Sequence, residues 1–146
     1  MALKRMDNTG IVVSDLDAAV AFFEELGMAV EGRMEIEGPW ADQCVGLDGI
    51  RCAIAMLRTP DGHGALELAQ YRHPEARPAT PPNAPHNIVG THRVMFAVDD
   101  IEDTIARLRP HGGEVLREVA RYEDAFLLCY LRGPDGIIVG LAEQLG

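Results

Sequence analysis

The sequence predicts an α+β protein in which one βαβββ module occurs twice. Three observations support this prediction: the chain resembles itself at an offset of 85 residues, each copy has a strand pattern followed by a helix pattern, and each copy ends with a Pro-Asp-Gly turn before its last strand. One such module leaves a sheet face bare. We therefore expect two half-barrels that pair into a cup-shaped mixed β-sheet with the helices outside.

The internal repeat is the strongest of these observations. Nine pairs of identical or similar residues fall in register, too many for coincidence, and helix starts and stops match as well. The pairs are Val13 with Val98, Asp15 with Asp100, Leu16 with Ile101, Val20 with Ile105, Ala21 with Ala106, Phe23 with Leu108, Gly27 with Gly112, Val30 with Val115 and Cys44 with Cys129.

The first copy opens with a strand at residues 8–13, where β-branched residues alternate with others. Asp15 then occupies the N-cap position of a helix whose apolar residues recur at helical spacing. Gly27 ends this helix, because glycine readily adopts the left-handed conformation found after a helix.

The second copy repeats the pattern, with a strand at 93–98, a cap at Asp99 or Asp100, and Pro110 and Gly112 as the helix stop. Further strands are predicted at 29–36, 42–47, 52–57, 65–71, 114–121, 126–131 and 137–142, with turns at 59–62 and 133–136. The resulting organisation is a first module at 1–71, a proline-rich connector at 72–90 and a second module at 91–146.

Composition narrows the possible functions. The chain has 146 residues and a formal charge of −10, which argues against nucleic acid as a partner. No apolar run approaches the roughly 18 residues of a membrane span, and the start lacks the apolar stretch of a signal peptide. Three cysteines without CxxC spacing predict neither a disulfide scaffold nor a thiolate zinc site. We expect a cytoplasmic protein.

Four stretches resemble the vicinal oxygen chelate superfamily, which includes glyoxalase I, bleomycin-binding proteins and extradiol dioxygenases. They are IVVSDLDAAVAFFEELGM, VMFAVDDIEDTIARLRPHGGE, the PDG turn before the last strand, and ALELAQY. The resemblance implies the duplicated fold and a small-molecule ligand or substrate. It does not select a reaction, because one fold hosts many chemistries.

Enzymes of that superfamily typically hold one divalent metal with four side chains, usually His, Gln or Glu. The resemblance carries these positions to Asn8, Glu67, Arg93 and Gly140. Only Glu67 is an ordinary ligand, because an amide is a weak one, a guanidinium cannot ligate and glycine has no side chain. A slip of one residue would bring His92 into the third position, but it would also turn its whole strand over. We therefore expect no four-ligand metal, with Glu67 and His92 as the weak candidates for a divalent ion.

Arg93 and Glu67 each have two interpretations. They could form an ion pair that replaces the metal structurally. Alternatively, Arg93 holds a carboxylate, phosphate or enolate oxygen of a ligand while Glu67 acts as a catalytic base. Asn8 either hydrogen-bonds the same ligand or is satisfied by neighbouring backbone.

Other candidate residues carry weaker signals. Tyr122 is a ligand-binding candidate at the rim or part of a solvated strand end, and Trp40 is a lid over a ligand or an anchor at a subunit contact. Cys44 and Cys129 fall in apolar runs and are expected to be buried. The remaining histidines are expected to be exposed: His63, His73, His86 and His111.

Two classes of function therefore remain. The first is a glyoxalase-like or bleomycin-resistance-like protein that binds a small molecule in the cup between modules without the usual metal. The alternative is a divalent-metal-dependent lyase, isomerase or dioxygenase of the same superfamily. A homodimer is predicted in either case, because pairing would cover sheet edges and apolar helix faces.

Overall fold

A computed structural model of the chain describes residues 2–146. It divides into two compact units, with the boundary between Arg77 and Pro78. Each unit is a βαβββ module with one mixed sheet, so the predicted α+β class and duplication are confirmed. No helix of the described residues is long and apolar enough to cross a membrane.

The first unit contains a four-stranded sheet in the order β1-β4-β3-β2. Strand β1 runs parallel to β4, and the other pairs are antiparallel. The elements are β1 (Thr9–Val12), α1 (Leu16–Leu26), β2 (Ala29–Glu37), α2 (Pro39–Val45), β3 (Arg51–Arg58) and β4 (Ala65–His73).

The second unit repeats this order as β5-β9-β8-β6, with β7 also paired to β8, and β5 again parallel to β9. The elements are β5 (Val94–Ala97), α3 (Ile101–Leu108), β6 (Glu114–Val115), β7 (Ala120–Tyr122), β8 (Phe126–Arg132) and β9 (Ile138–Gln144).

The single strand predicted at 114–121 is wrong, because the chain leaves the sheet between β6 and β7. Val115 pairs with Leu131 and Ala120 pairs with Leu128. Residues 116–119 of this segment therefore lie opposite only residues 129–130 of β8. The two extra residues bend the segment out of the sheet, as in a β-bulge.

Both main helices begin as the sequence predicts. The Asp15 carboxylate accepts a hydrogen bond from the Ala18 amide at 3.1 Å, and the Asp100 carboxylate accepts one from the Asp103 amide at 3.0 Å. Gly27 follows α1 at φ 129°, in the region that favours glycine.

A second hydrogen bond ties each helix to the last strand of its unit. The Gln70 side chain accepts from the Leu16 amide at 2.8 Å, and the Glu143 carboxylate accepts from the Ile101 amide at 2.8 Å. These two contacts occupy equivalent places in the two units. They fix which face of each sheet the helix covers.

The core of each unit lies between its helix and that face of the sheet. Burial of these apolar side chains is the main stabilising contribution. In the first unit the least exposed large side chains include Phe22, Phe23, Leu57 and Leu68; in the second they include Ile101, Leu108, Leu131, Val139 and Leu141.

The strand predicted at 42–47 is also wrong, because this segment forms α2. Pro39 stands in the first turn, where its missing amide hydrogen costs nothing, and Gly46 ends the helix in a left-handed conformation. The Asp42 carboxylate then accepts hydrogen bonds from the Gly49 and Ile50 amides at 2.8 and 2.9 Å. Local capping therefore outweighs the apolar pattern of this stretch.

The extra helix changes the register of the repeat. Before α2, equivalent residues of the two units are 85 positions apart. Gln70 and Glu143, which each accept a hydrogen bond from the first amide of a helix, are only 73 positions apart. The predicted match of Cys44 with Cys129 is therefore wrong: Cys44 lies exposed on α2, whereas Cys129 is buried in β8. The counterpart of Cys129 is Ala55, because they face Leu141 and Leu68 respectively in matching registers.

Candidate binding site

Each sheet has one face turned away from its helix, which we call the distal face. Gln70 and Glu143 point to the helices, and successive side chains of a strand alternate between faces. Glu67 in β4 and Gly140 in β9 therefore belong to the distal faces of their sheets. The two residues are 73 positions apart and are equivalent in the two units.

Glu67 is a half-buried carboxylate on the distal face of the first sheet. It pairs in register with Gly10 of β1 and Met56 of β3, neither of which offers a hydrogen-bonding side chain. Within the described part of its unit, the Glu67 side chain makes no hydrogen bond or ion pair. Its oxygens are therefore open to a ligand or to water.

Cys52 and Tyr71 face each other across β3 and β4 on the same side as Glu67. Burial raises the pKa of the Cys52 thiol, and the charges of Glu67 and Glu35 raise it further. Burial likewise raises the pKa of Tyr71, with Cys52 and Glu67 as smaller causes. Both groups stay protonated at neutral pH, so Cys52 is not an activated nucleophile.

Asn8 lies one residue before β1 and is half-buried. The alternation of the strand puts it on the same side as Gly10, which faces Glu67. Within the described part of its unit the Asn8 side chain has no hydrogen-bond partner. Asn8 and Glu67 are thus the polar groups that the first unit offers at the positions carried over in the sequence analysis.

On the distal face of the second sheet, neighbouring side chains occupy the place of a side chain at Gly140. Gly140 stands opposite Met95 of β5 and Tyr130 of β8. A Cβ atom at Gly140 would overlap the Met95 sulfur and lie 2.9 Å from Tyr130 Cε1. The place that a ligand side chain would occupy is therefore filled by a thioether and an aromatic ring.

Arg93 lies beside this cluster, one residue before β5. Its guanidinium carbon is 5.3 Å from the centre of the Tyr130 ring, within the range of a cation–π contact. Arg93 is exposed, and within the described part of its unit it has no carboxylate partner. Its N–H donors are thus available to a ligand.

His86 also contacts Tyr130, and the sequence did not indicate this contact. Its ring meets Tyr130 edge-on at 5.1 Å, and its Nε2 is buried with no hydrogen-bond partner among the described residues. The expectation that His86 is exposed is wrong, because the connector folds back onto β8. No local pattern marks this contact, which depends on where a proline-rich segment happens to dock.

Arg132 holds that part of the connector in place. It donates to the Ala84 carbonyl at 2.6 Å and to the Gly136 carbonyl at 3.1 Å. The same neighbourhood borders a groove of about 410 Å³, lined by polar and glycine residues that include Asn83, Glu114 and Gly133. This volume falls in the range of small-molecule sites. Two N–H donors of Arg132 at this groove already bind carbonyl oxygens.

The remaining candidates take no part in the Arg93–Tyr130 contact. Tyr122 is 57% exposed in β7 and His92 is exposed before β5; neither side chain has a hydrogen bond, ion pair or ring contact within the described part of the second unit. Trp40 is 61% exposed on α2 of the first unit, beside Gly38. Cys129 is buried, and this burial raises its pKa to about 11, so it is not a nucleophile at neutral pH.

These residues do not fit a divalent metal of the kind the resemblance implies. Among the described residues, no group of three or more His, Cys, Asp or Glu side chains is placed to hold an ion. Glu67 supplies a carboxylate, but Arg93 supplies a positive charge, and the space above Gly140 is filled. The donor set contains one good oxygen ligand where a transition metal needs three or four.

A family model and a solved structure point to the same family. The family model described as Glyoxalase/Bleomycin resistance protein/Dioxygenase superfamily matches residues 5–141. A glyoxalase family protein from Bacillus cereus is similar in structure, with a TM-score of 0.94 and 47% identity over 100% of this chain and 97% of that one.

Two more distant similarities each cover more than nine-tenths of this chain. The uncharacterised protein YwbC of Bacillus subtilis is 27% identical over 136 residues, covering 91% of this chain and 92% of YwbC. The trypanothione-dependent glyoxalase I of Leishmania major has a TM-score of 0.66 and 19% identity, covering 97% of this chain and 87% of that one. At that identity the likeness supports the fold and no activity.

Proposed function

The chain belongs to the glyoxalase/bleomycin resistance protein/dioxygenase superfamily, and from that membership we propose that it binds a small organic molecule without the four-ligand metal of the family's enzymes. Each unit offers its own proposed contacts. Asn8 and Glu67 are the proposed polar contacts in the first unit, and Arg93 is the proposed contact in the second. Trp40 and Tyr122 are proposed as contacts of the ligand's apolar parts.

The observation that supports this function best is the environment of Gly140. Met95 and Tyr130 fill the place of a fourth ligand, and a guanidinium stands where the third would be. A permanently charged guanidinium repels a cation and attracts an anionic or polar oxygen. The same positions that would hold a metal thus favour direct binding of an organic ligand.

A ligand screen in the presence of a chelator tests this proposal. Small molecules are screened by thermal shift in EDTA and then with zinc, nickel or manganese in its place. We expect stabilising ligands in EDTA, with affinities that added metal leaves unchanged. A ligand response that disappears in EDTA and returns with one metal would favour the alternative, a metal-dependent lyase, isomerase or dioxygenase.

Substitutions locate the bound ligand. Asn8→Ala, Glu67→Gln and Arg93→Gln are each expected to weaken binding of a hit, because each removes a polar contact. Arg117→Gln is the matched control, since Arg117 is also exposed but lies outside the sheets. Equal losses in Arg93→Gln and Arg117→Gln would contradict the assignment of Arg93.

Homodimer formation is a separate proposal. Strands β1 and β2 are the edges of the first sheet, so each has one side without a strand partner in the described chain. Pairing with a second copy would cover such edges. Light scattering at micromolar concentration is expected to give twice the 15.9 kDa of one chain, and a particle of single mass would contradict the proposal.

A further inference from the structure

The Arg93 guanidinium is presented in a way that suits a planar oxyanion. Its Cζ atom lies over the Tyr130 ring, 5.3 Å from the ring centre, and the residue is exposed. The planar guanidinium loses little freedom for each hydrogen bond that it forms. A carboxylate matches the N–H edge of a guanidinium in a bidentate fashion.

The charge around Arg93 is unusual for this chain. The protein carries 23 acidic residues against 13 basic ones. Among the described residues, the strand registers place one acidic residue on the distal face of the second sheet, Glu114 of β6, which pairs in register with Arg132. Arg132 also donates to two carbonyls. Arg93 stands at the opposite edge of the order β5-β9-β8-β6 from Glu114 and has no ion pair within the described part of its unit.

The surroundings of Arg93 on this face are apolar. The apolar residues that share the face by strand register include Met95, Ala97, Leu128, Ile138 and Ala142, together with Tyr130. The polar residues Glu114, Arg132, Tyr122 and Gln144 lie on strands of that face other than β5. An anion held by Arg93 therefore has apolar surface beside it, which favours a ligand with a hydrocarbon or aromatic body over an inorganic ion.

We infer that the distal face of the second sheet is a carboxylate site, in which Arg93 binds the carboxylate of a small organic acid and the apolar residues around Tyr130 contact its body. This inference rests on the proposed function and names the class of its ligand. His86 is a positioning residue: its ring edge supports Tyr130, which supports Arg93.

Three isosteric probes test the charge requirement: benzoate is an anion, benzamide is neutral and benzamidine is a cation. Each is titrated into the full chain in EDTA while the Arg93 Nε–Hε and Tyr130 ring resonances are followed by NMR. We expect saturable shifts with benzoate, and affinities lower by about tenfold or more for the other two probes. Similar affinities for benzoate and benzamide would overturn the carboxylate assignment.

Two arginine variants localise the binding. Arg93→Gln is expected to weaken benzoate binding about tenfold or more, because a hydrogen bond to a charged group is lost. Arg117→Gln removes an equal charge elsewhere in the unit and is expected to change the affinity by less than about twofold. No loss in Arg93→Gln, or the same loss in both variants, would overturn the site.

Two histidine variants test the positioning role. His86→Phe keeps a ring against Tyr130 and removes the unpartnered Nε2, so benzoate binding is expected to survive. His86→Ala removes the support, so we expect weaker binding and an averaged Tyr130 ring environment. Loss of binding in His86→Phe, with the amide spectrum otherwise unchanged, would overturn this role and make Nε2 itself the contact.

The outcomes separate this inference from the proposed function. Ligands that bind in EDTA without using Arg93 would overturn the carboxylate site and leave the proposed function standing. A metal bound at Glu67, together with benzoate still bound at Arg93, would overturn the proposed function and leave the carboxylate site standing.

Discussion

The two units have the same topology, but glycine and a large side chain exchange places where the two parallel strands of each unit pair. In the first unit Gly10 of β1 faces Glu67 of β4; in the second, Met95 of β5 faces Gly140 of β9. Each pair contains one glycine, so the large side chain comes from the last strand in one unit and from the first strand in the other. One backbone register thus supports a carboxylate in one unit and a filled apolar surface in the other.

The difference bears on the four-ligand metal that enzymes of the family typically hold. A four-ligand metal needs both units to supply donors at equivalent positions, but Glu67 and Gly140 are equivalent and only one of them has a side chain. The second unit presents Arg93 on Tyr130 instead. The chemistry that we propose at this place is recognition of an anion, whereas the first unit has a carboxylate.

The largest effect is expected from adding one methyl group at Gly140. Gly140→Ala places a Cβ against the Met95 sulfur and 2.9 Å from Tyr130 Cε1. Overpacking of this kind typically costs about 1–3 kcal/mol of unfolding free energy. Urea denaturation measures the change.

Gly10→Ala is the matched control, because a Cβ there meets only the Glu67 carbonyl at 4.0 Å. Its effect is expected to stay within about 0.5 kcal/mol. Met95→Ala in the Gly140→Ala background is expected to recover part of the loss. Equal costs for the two glycine substitutions would break the comparison between the units.

A smaller effect is expected at alkaline pH from Cys129, whose counterpart in the first unit is Ala55. Burial raises the thiol pKa from 9.0 to about 11, so between these values the unfolded chain loses a proton that the folded chain keeps. Stability is therefore present below pH 9 and falls as pH rises to 11, by up to about 1.4 kcal/mol per pH unit.

Cys129→Ala makes the second unit like the first at this position and removes that slope. Unfolding free energies of the wild type and the variant, measured from pH 8 to about 11, are expected to converge as pH rises. Parallel curves would show that the folded state does not hold the Cys129 proton more tightly.

The smallest effect is expected from exchanging the acceptors that tie each helix to its last strand. Glu143 carries a negative charge at the start of α3, where Gln70 is neutral at the start of α1. An anion near a helix N-terminus contributes about 0.3–1 kcal/mol. Glu143→Gln is expected to lose this amount and Gln70→Glu to gain it, with both changes reduced at high salt. Thermal unfolding at two salt concentrations measures them.

Much of the fold could be predicted because its signals are local and occur twice. Asp15 and Asp100 cap their helices as the sequence indicates. The segment of α2 could not be predicted from hydrophobic pattern alone, because Pro39 and the Asp42 carboxylate, rather than apolar spacing, determine its structure. The single offset of 85 therefore misaligned the last predicted pair, Cys44 with Cys129.

The candidate site was only partly predictable for a different reason. Alternation along a strand places Arg93 on the side of Met95, and this needs no knowledge of distant residues. The contacts of Arg93 with Tyr130, and of His86 with the same ring, join segments that are 37 or more residues apart in the chain. Such contacts depend on the strand register and on the docking of the connector, neither of which has a local sequence signal.

Calorimetric titration of Zn²⁺, Ni²⁺ and Mn²⁺ into the purified full chain tests most directly whether the protein binds a metal ion through Glu67. The wild type is compared with Glu67→Gln, and Glu118→Gln serves as an exposed control. We expect no saturable binding of one ion per chain that depends on Glu67, because one carboxylate is too small a donor set. Binding of one equivalent that is lost in Glu67→Gln and kept in Glu118→Gln would contradict the proposed metal-free function.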